Sequence, residues 1–372
     1  ANGSRDEASP MDTFSPVTRT GSVRGVIANA AMLMKEHPDY DLEQSDVRTA
    51  FLYAPIGDKP VYMWPLPGYE KKGPDGKTML WKLKRSVYGL KQSPRNWNNT
   101  LNEYMEKIGY KQCSSDPCMY IKSNPDGPPT IVLIYVDDLI IAGRKQAREE
   151  LLDDLEARFK IKRLGLLKYC LGLQVDVTRM KDGHVEIKIH QQKYADKIVA
   201  KYGMKRANTV NLPRSQDRKD DPDYEDVELP PNNDFKGILG SCMFIYCGTR
   251  PDIGEAVGVL ARKMQAPTDR DLTRAKRLLR YIKKTSDRGL IFSSKAENPG
   301  RVIVYADANY AGDRETLHST SGWVVMKNGA AINWSSKLQS LLALSTTEAE
   351  IMATSSAAQE VAYLLRWHED IG

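Results

Sequence analysis

The run Ile131-Val132-Leu133-Ile134-Tyr135-Val136-Asp137-Asp138-Leu139-Ile140-Ile141-Ala142-Gly143 constrains the fold more than any other stretch. Apolar and aromatic residues lead into two adjacent carboxylates, and four apolar residues follow. β-Branched side chains dominate, with Pro128-Pro129 before the run and Gly143 closing it. That pattern predicts two short buried strands. The Asp-Asp pair falls where a two-residue hairpin turn would sit, and Asp tolerates the positive φ of such turns. Two acids beside so much hydrocarbon are costly as bare charges. A divalent cation at the tip would offset that cost, because hard cations take carboxylate oxygens. A solvated turn explains the pair equally well on these residues alone.

With 372 residues, the chain is long enough for two or three compact units with real cores. Lys and Arg number 54 against 48 acids, a net charge of +6, which permits a polyanionic partner without demanding one. The five cysteines, Cys113, Cys118, Cys170, Cys242 and Cys247, lack paired CxxC spacing. They read as reduced, buried thiols of an intracellular protein, not as a disulfide set or zinc site. No stretch approaches the roughly 20 apolar residues of a membrane span. Ala1 to Arg24 is polar, without a signal-peptide core, and lacks an initiating Met, so a chain cut from something longer is expected.

Along the chain, Val26, Ala30, Leu33 and Met34 predict a helix over 22–36 with one apolar face. Residues 40–53 read as a strand carrying Asp46, then a short helical turn. Strands are expected at 61–64 and 79–84 around a Gly/Pro-rich loop, and a helix over 93–108 opening on Ser93-Pro94. Helices are expected over 146–159, 191–202, 235–264 and 272–284. A hairpin joins 169–178 to 184–189 across Lys181-Asp182-Gly183. Residues 205–234, with four prolines among many charges, read as a linker or long loop. From Arg301 the pattern becomes strand, strand, strand, helix, a separate α/β unit. The helix over 272–284 sets Ala275, Leu278, Leu279 and Ile282 against Lys276, Arg277, Arg280, Lys283 and Lys284. That basic face could track a nucleic-acid backbone or simply be solvated.

Asp46 precedes the hairpin and could lie alongside it, although alone it reads better as a helix N-cap. Phe51 alone reads as a core aromatic. Three carboxylates on neighbouring strands could hold two Mg²⁺ ions, one activating a hydroxyl and one steadying a triphosphate. Tyr135-Val136-Asp137-Asp138 resembles the catalytic hairpin of reverse transcriptases. Asp46-Val47-Arg48-Thr49-Ala50-Phe51-Leu52 is similar to the first metal-binding motif of the copia-type retrotransposon members, and Ser86 to Trp97 to a later block. Thr13 to Val17, Val61 to Met63 with Pro67-Gly68-Tyr69, Lys168 to Gly172 and Thr249 to Ile253 follow the same family in order.

The resemblance implies an α+β right-hand polymerase fold. Fingers and palm would occupy residues 1–145, thumb and connection 146–300, and a partial ribonuclease H-like unit 301–372. It implies Asp46 and Asp137 as principal ligands of Mg²⁺ (or Mn²⁺), with Asp138 supporting. Phe51 would exclude a 2′-hydroxyl. Tyr88 and Gly89 would line the nucleotide pocket, where a missing side chain allows close backbone approach. Lys91, Gln92 and Arg95 would complete the substrate set. Lys82, Lys84 and Arg85 add cations that could neutralise phosphates.

The expected activity is RNA-directed DNA synthesis, with an RNA template, a DNA primer, their hybrid and dNTPs as partners and no membrane. A second copy of the chain or other parts of a parent polyprotein are candidate partners, in cytoplasmic virus-like particles. The alternative is a degenerate or domesticated fragment that binds nucleic acid without catalysis.

Asp307, ending a strand, and a glutamate on the last helix resemble the start of a ribonuclease H site. Ser345 to Glu348 has capping-box spacing, so Glu348 is expected to reach back to the cap. Glu350, beside the stripe Ile351, Ala358, Ala362 and Leu365, is expected to face the sheet and pair with Asp307. The family's unit continues to further acids, so this one is expected to be incomplete and inactive. The chain is also expected to begin inside the fingers.

Overall fold

A computed structural model describes residues 13–57, 60–214, 226–313 and 315–371. It is a mixed helix and sheet architecture whose contacts fall into two units. The first takes residues 1–19, 37–167 and 366–372, and the second 20–36 and 168–365. The boundaries drawn from sequence near 145 and 300 do not mark this division. The helix α1 (Thr20–Glu36) groups with residues beyond 168, not with the strand it precedes.

The first unit is built on an antiparallel sheet. Its strands are β1 (Tyr40–Val47), β4 (Lys111–Gln112), β5 (Met119–Asn124), β6 (Gly127–Tyr135), β7 (Asp138–Arg144) and β8 (Ile161–Leu166). They lie in the order β4-β5-β6-β7-β1-β8. The helices α2 (Ser93–Lys107) and α3 (Lys145–Glu156) cover one face. Trp97, Leu101 and Met105 of α2 meet Val132, Ile134, Leu139 and Ile141 of the hairpin, with Leu151, Leu152 and Leu155 of α3. Burying each such side chain is worth about 1.5–3 kcal/mol, which fixes the hairpin's register. A small ribbon, β2 (Tyr62–Met63) and β3 (Trp81–Lys82), leaves this sheet and returns. Its strands are shorter than the expected 61–64 and 79–84.

The hairpin tip corrects the sequence reading by one residue. Tyr135 pairs with Asp138, so Val136 and Asp137 form the two-residue loop and Asp138 opens β7. The positive φ, 58°, falls on Val136 and not on an Asp. Positive φ at the first loop residue alone is the type II′ pattern. A β-branched residue there is strained by about 1–3 kcal/mol. The surroundings hold it: the Trp97 indole N–H donates to the Val136 carbonyl at 2.8 Å, and the Val47 N–H to the Asp137 carbonyl at 2.8 Å.

The second unit contains a four-stranded sheet in the order β12-β11-β10-β9. Its strands are β9 (Tyr169–Cys170), β10 (Leu173–Arg179), β11 (Val185–His190) and β12 (Gly289–Ser293). The expected strand over 169–178 is broken at Leu171-Gly172, both at positive φ. Four helices pack together: α4 (Gln192–Lys201), α5 (Phe235–Thr249), α6 (Gly254–Arg262) and α7 (Asp269–Lys284). The single helix expected over 235–264 breaks at Arg250, because the residue before Pro251 is pushed out of helical φ/ψ. Arg250 secures the break by pairing Asp252 at 2.8 Å and bonding the Thr285 carbonyl at 2.7 Å.

The expected linker 205–234 is partly fastened. Lys283 donates to the carbonyls of Lys205 (2.6 Å) and Ala207 (2.9 Å), and Arg280 to that of Asn208 (2.5 Å). Lys284 likewise bonds Asn211, so three of the five cations named on the basic face of α7 hold this segment of chain. Residues 215–225 of that segment lie outside the described residues.

The last strands form a three-stranded antiparallel sheet: β13 (Val302–Asn309), β14 (Thr320–Lys327) and β15 (Ala330–Leu338). The helix α8 (Thr346–Ile371) follows, with its buried stripe Ala349, Ala353, Ala357 and Leu364. Ile351 is 63% exposed and Leu365 59%, so the stripe expected from sequence is the opposite face. All five cysteines are free, as expected, but Cys247 is exposed. Among the described residues no helix is long and apolar enough to cross a membrane.

Candidate functional site

Strand register assembles the acids. Asp46 of β1 is the direct partner of Asp138 of β7, and on its other side of Lys162 of β8. Directly opposed residues of antiparallel strands share a face. Lys162, Asp46, Asp138 and Tyr135 therefore form one row across four strands. Asp137, in the loop, is joined to the row by its carbonyl bond from Val47. Asp46 is a strand residue here, not a helix N-cap.

The carboxylates disturb one another. Burial raises the Asp137 carboxyl above its ordinary range, Tyr88 opposes the rise by hydrogen bonding, and Asp46 and Asp138 add to it. Burial and then Asp46 raise Asp138, against a hydrogen bond from Gln44. The Tyr88 hydroxyl donates to Asp137 Oδ2 at 3.3 Å, while Asp137 Oδ1 is buried without a hydrogen-bond partner. A set of hard oxygen donors with one buried oxygen unsatisfied suits a hard cation such as Mg²⁺. Among the described residues no group of three or more His, Cys, Asp or Glu is already gathered into a ligand cage. The acids are neighbours by register and by field, not a closed coordination shell.

Phe51 lies in the short 3-10 turn Ala50–Tyr53, is 9% exposed and belongs to the core cluster. Its ring meets Tyr88, 4.6 Å between centroids, and Tyr88 is 48% exposed. Tyr88 thus covers Phe51 and bonds Asp137 at once. Gly89 has φ +92°, a conformation that favours glycine, in the turn leading to α2. Lys91 is exposed and Arg95 half-buried in the first turn of α2. Gln92 caps that helix with a buried, unpartnered Oε1.

In the second unit, Glu350 Oε1 accepts from the N–H of Ala308, next to Asp307, at 3.3 Å, so these two acids lie on adjoining elements. Glu348 reaches back as expected, but to the Leu344 N–H at 2.7 Å, while Ser345 Oγ accepts from the Glu348 N–H.

Two side chains beside the acids had no assigned role in the sequence: Trp97, which fixes the loop carbonyl, and Lys162, whose place depends on register. Tyr88 was expected at the nucleotide pocket, but its hydroxyl bond to Asp137 was not legible. Lys162 left a faint signal as a cation in the alternating segment Ile161-Lys162-Arg163-Leu164.

Residues 4–216 match the family described as reverse transcriptase (RNA-dependent DNA polymerase). The chain is 34% identical over 371 residues to the retrovirus-related Pol polyprotein from transposon TNT 1-94 of Nicotiana tabacum, covering 97% of this chain and 27% of that protein. It is 32% identical over 363 residues to the one from transposon RE1 of Arabidopsis thaliana, covering 97% and 24%. With a transposon Ty5-1 protein of Saccharomyces cerevisiae it shares 30% over 321 residues, covering 85% of this chain and 100% of that one. The chain spans about a quarter of the length of the first two relatives.

Proposed function

We propose, for a chain that belongs to the reverse transcriptase (RNA-dependent DNA polymerase) family of copia-type retrotransposon Pol polyproteins, that it extends a DNA primer on an RNA template. The observation that carries this reading is the row Lys162, Asp46, Asp138 with the buried, unpartnered oxygen of Asp137 beside it. In this reading the first unit supplies fingers and palm, the helices of the second unit a thumb and connection, and β13 to α8 the beginning of a ribonuclease H-like unit.

Asp46 and Asp137 would be the principal holders of Mg²⁺, or Mn²⁺ in its place, with Asp138 supporting. When bound, two such ions make the primer 3′-hydroxyl more acidic and carry charge on the triphosphate. The chain's own residues then position the partners. Tyr88 holds one Asp137 oxygen, and the other, without a hydrogen-bond partner, would take the cation. The Tyr88–Phe51 pair forms the wall against which the dNTP sugar rests, excluding a 2′-hydroxyl. Gly89 lets template or nucleotide approach the backbone, and Lys91, Gln92 and Arg95 meet phosphates. Lys162, paired in register with Asp46, sets a cation on the same face of the sheet, where the leaving pyrophosphate would gather charge. Asp307 and Glu350 would be two of the carboxylates of the ribonuclease H site.

Primer extension on an RNA template is the direct test. Binding of the hybrid with no extension under any divalent cation would favour instead a degenerate or domesticated binding fragment. Assembly with a second copy or with the rest of a polyprotein, within cytoplasmic virus-like particles, belongs to the same proposal.

Two variants probe the positioning. Trp97→Phe keeps the buried ring but removes the only donor to the Val136 carbonyl described here. A lost hydrogen bond of this kind costs about 0.5–1.5 kcal/mol, and the released loop should lower kcat roughly tenfold with little change in primer–template affinity. An unchanged kcat would show that the strained loop needs no indole. Lys162→Ala should lower kcat/KM for dNTP about tenfold while primer–template binding stays constant. A loss confined to nucleic-acid binding would place Lys162 outside the triphosphate site.

A further inference from the structure

We propose that the ribbon of β2 and β3 is a stacking platform for unpaired polynucleotide, the single-stranded template ahead of the primer end. The inference rests on the polymerase reading above and adds a site to it. Two observations carry it.

The first is exposure. No residue from 60 to 85 is buried, so the aromatic side chains there do not form a core. Tyr62 is 55% exposed, Trp64 70%, Tyr69 67% and Trp81 37%. Of the chain's six tryptophans, all described, Trp64 and Trp81 are the only exposed ones. Tyr69 and Trp81 meet edge to face with centroids 6.4 Å apart, so one ring props the other. Large exposed aromatic groups on a ribbon that does not need them for packing mark a binding surface.

The second is charge. Residues 60–95 hold eight Lys and Arg against two acids, Glu70 and Asp75, a net charge of +6. The ribbon and its loop alone, residues 60–85, hold six of these cations against the same two acids. In the ribbon register Tyr62 faces Lys82 while Trp81 faces Met63, which interleaves rings and cations. An apolar protein partner would not require that concentration of cations, but phosphates do. Indole and phenol faces need free base faces, which a duplex keeps stacked internally and a single strand offers.

The platform is tied to the carboxylate site. Arg85 donates to the carbonyls of Leu52 (3.3 Å) and Tyr53 (3.0 Å), and the Ser86 N–H to that of Ala54 (2.9 Å). Three residues past Arg85, Tyr88 bonds Asp137. A strand stacked on the ribbon therefore leads toward the reacting end.

The test compares the binding of two labelled hybrids by the 372-residue chain, one blunt and one with a template overhang of about ten nucleotides, by fluorescence anisotropy. Each ring lost removes a stacking face, so Trp64→Ala/Trp81→Ala should bind the overhang hybrid at least tenfold more weakly. The blunt hybrid should bind as before, and Trp64→Phe/Trp81→Phe should recover most of the loss. Oligonucleotide should quench tryptophan emission in the wild type and much less in the Ala variant. Equal loss on both hybrids, or no loss on the overhang, would overturn the platform. Primer extension by the wild type is measured apart from this binding assay, so failure of the platform and failure of the polymerase reading are separate results.

Discussion

Asp137→Asn is expected to reduce primer extension at least a thousandfold while leaving the protein folded and slightly more stable. The substitution preserves shape: an amide oxygen still accepts from the Tyr88 hydroxyl, and the backbone bond from Val47 to residue 137 is untouched. What it removes is the charge on a group that burial and two neighbouring acids already disfavour. Relieving like-charge repulsion favours the folded chain, so thermal denaturation should show an unchanged or raised midpoint. A thousandfold loss corresponds to about 4 kcal/mol of transition-state stabilisation, within reach of one lost anionic ligand. Asp46→Asn should behave alike, since Asp46 stands between Asp138 and Lys162. Asp138→Asn, already engaged by Gln44, should lose less. Steady-state extension on an RNA template with circular dichroism melts checks all three. Wild-type rates in Asp137→Asn would sink the assignment of the site.

The hairpin was legible because burial and turn chemistry agree over thirteen consecutive residues. Its tip was not, because Asp is the better local turn former and yet Val136 takes the positive φ. Pairing of Asp46 with Asp138 and the Trp97 bond decide the register, and both are tertiary. The same limit explains α8. Apolar residues occur on two of its faces, and periodicity alone cannot say that the alanine stripe, not Ile351 and Leu365, meets the sheet. The place of Lys162 beside Asp46 follows only from the pairing of β8 with β1. The break at Arg250 was readable from Pro251, but the apolar run across it read as one helix. The ribbon's charge was countable from the start, whereas its exposure was not.

Arg24→Met should produce the largest loss of stability, about 3 kcal/mol. Arg24 is 3% exposed in α1, where a sequence reading assigns a helix with one apolar face. Its guanidinium donates to the carbonyls of Ile332 (2.6 Å), Cys247 (2.8 Å) and Gly248 (2.9 Å), and lies 4.0 Å over the Trp334 ring. One side chain thereby joins α1, α5 and β15 within the second unit. Burial opposes it, drawing its pKa down to about 9, so the group is still charged at neutral pH. The sign of the net effect follows from comparing these. Charge-assisted hydrogen bonds contribute about 1.5–3 kcal/mol each, and three of them with a cation–π contact exceed what methionine recovers by removing the buried charge. Methionine also leaves the buried bonds to the Ile332 and Gly248 carbonyls unmade, and the part-buried one to Cys247. Arg24→Lys keeps the charge but not the fork geometry and should lose about 2 kcal/mol. Urea denaturation, read at the midpoint with the slope checked for two-state behaviour, measures both. A midpoint unchanged in Arg24→Met would mean that water or neighbouring groups satisfy those carbonyls, and that α1 is held by its apolar face alone.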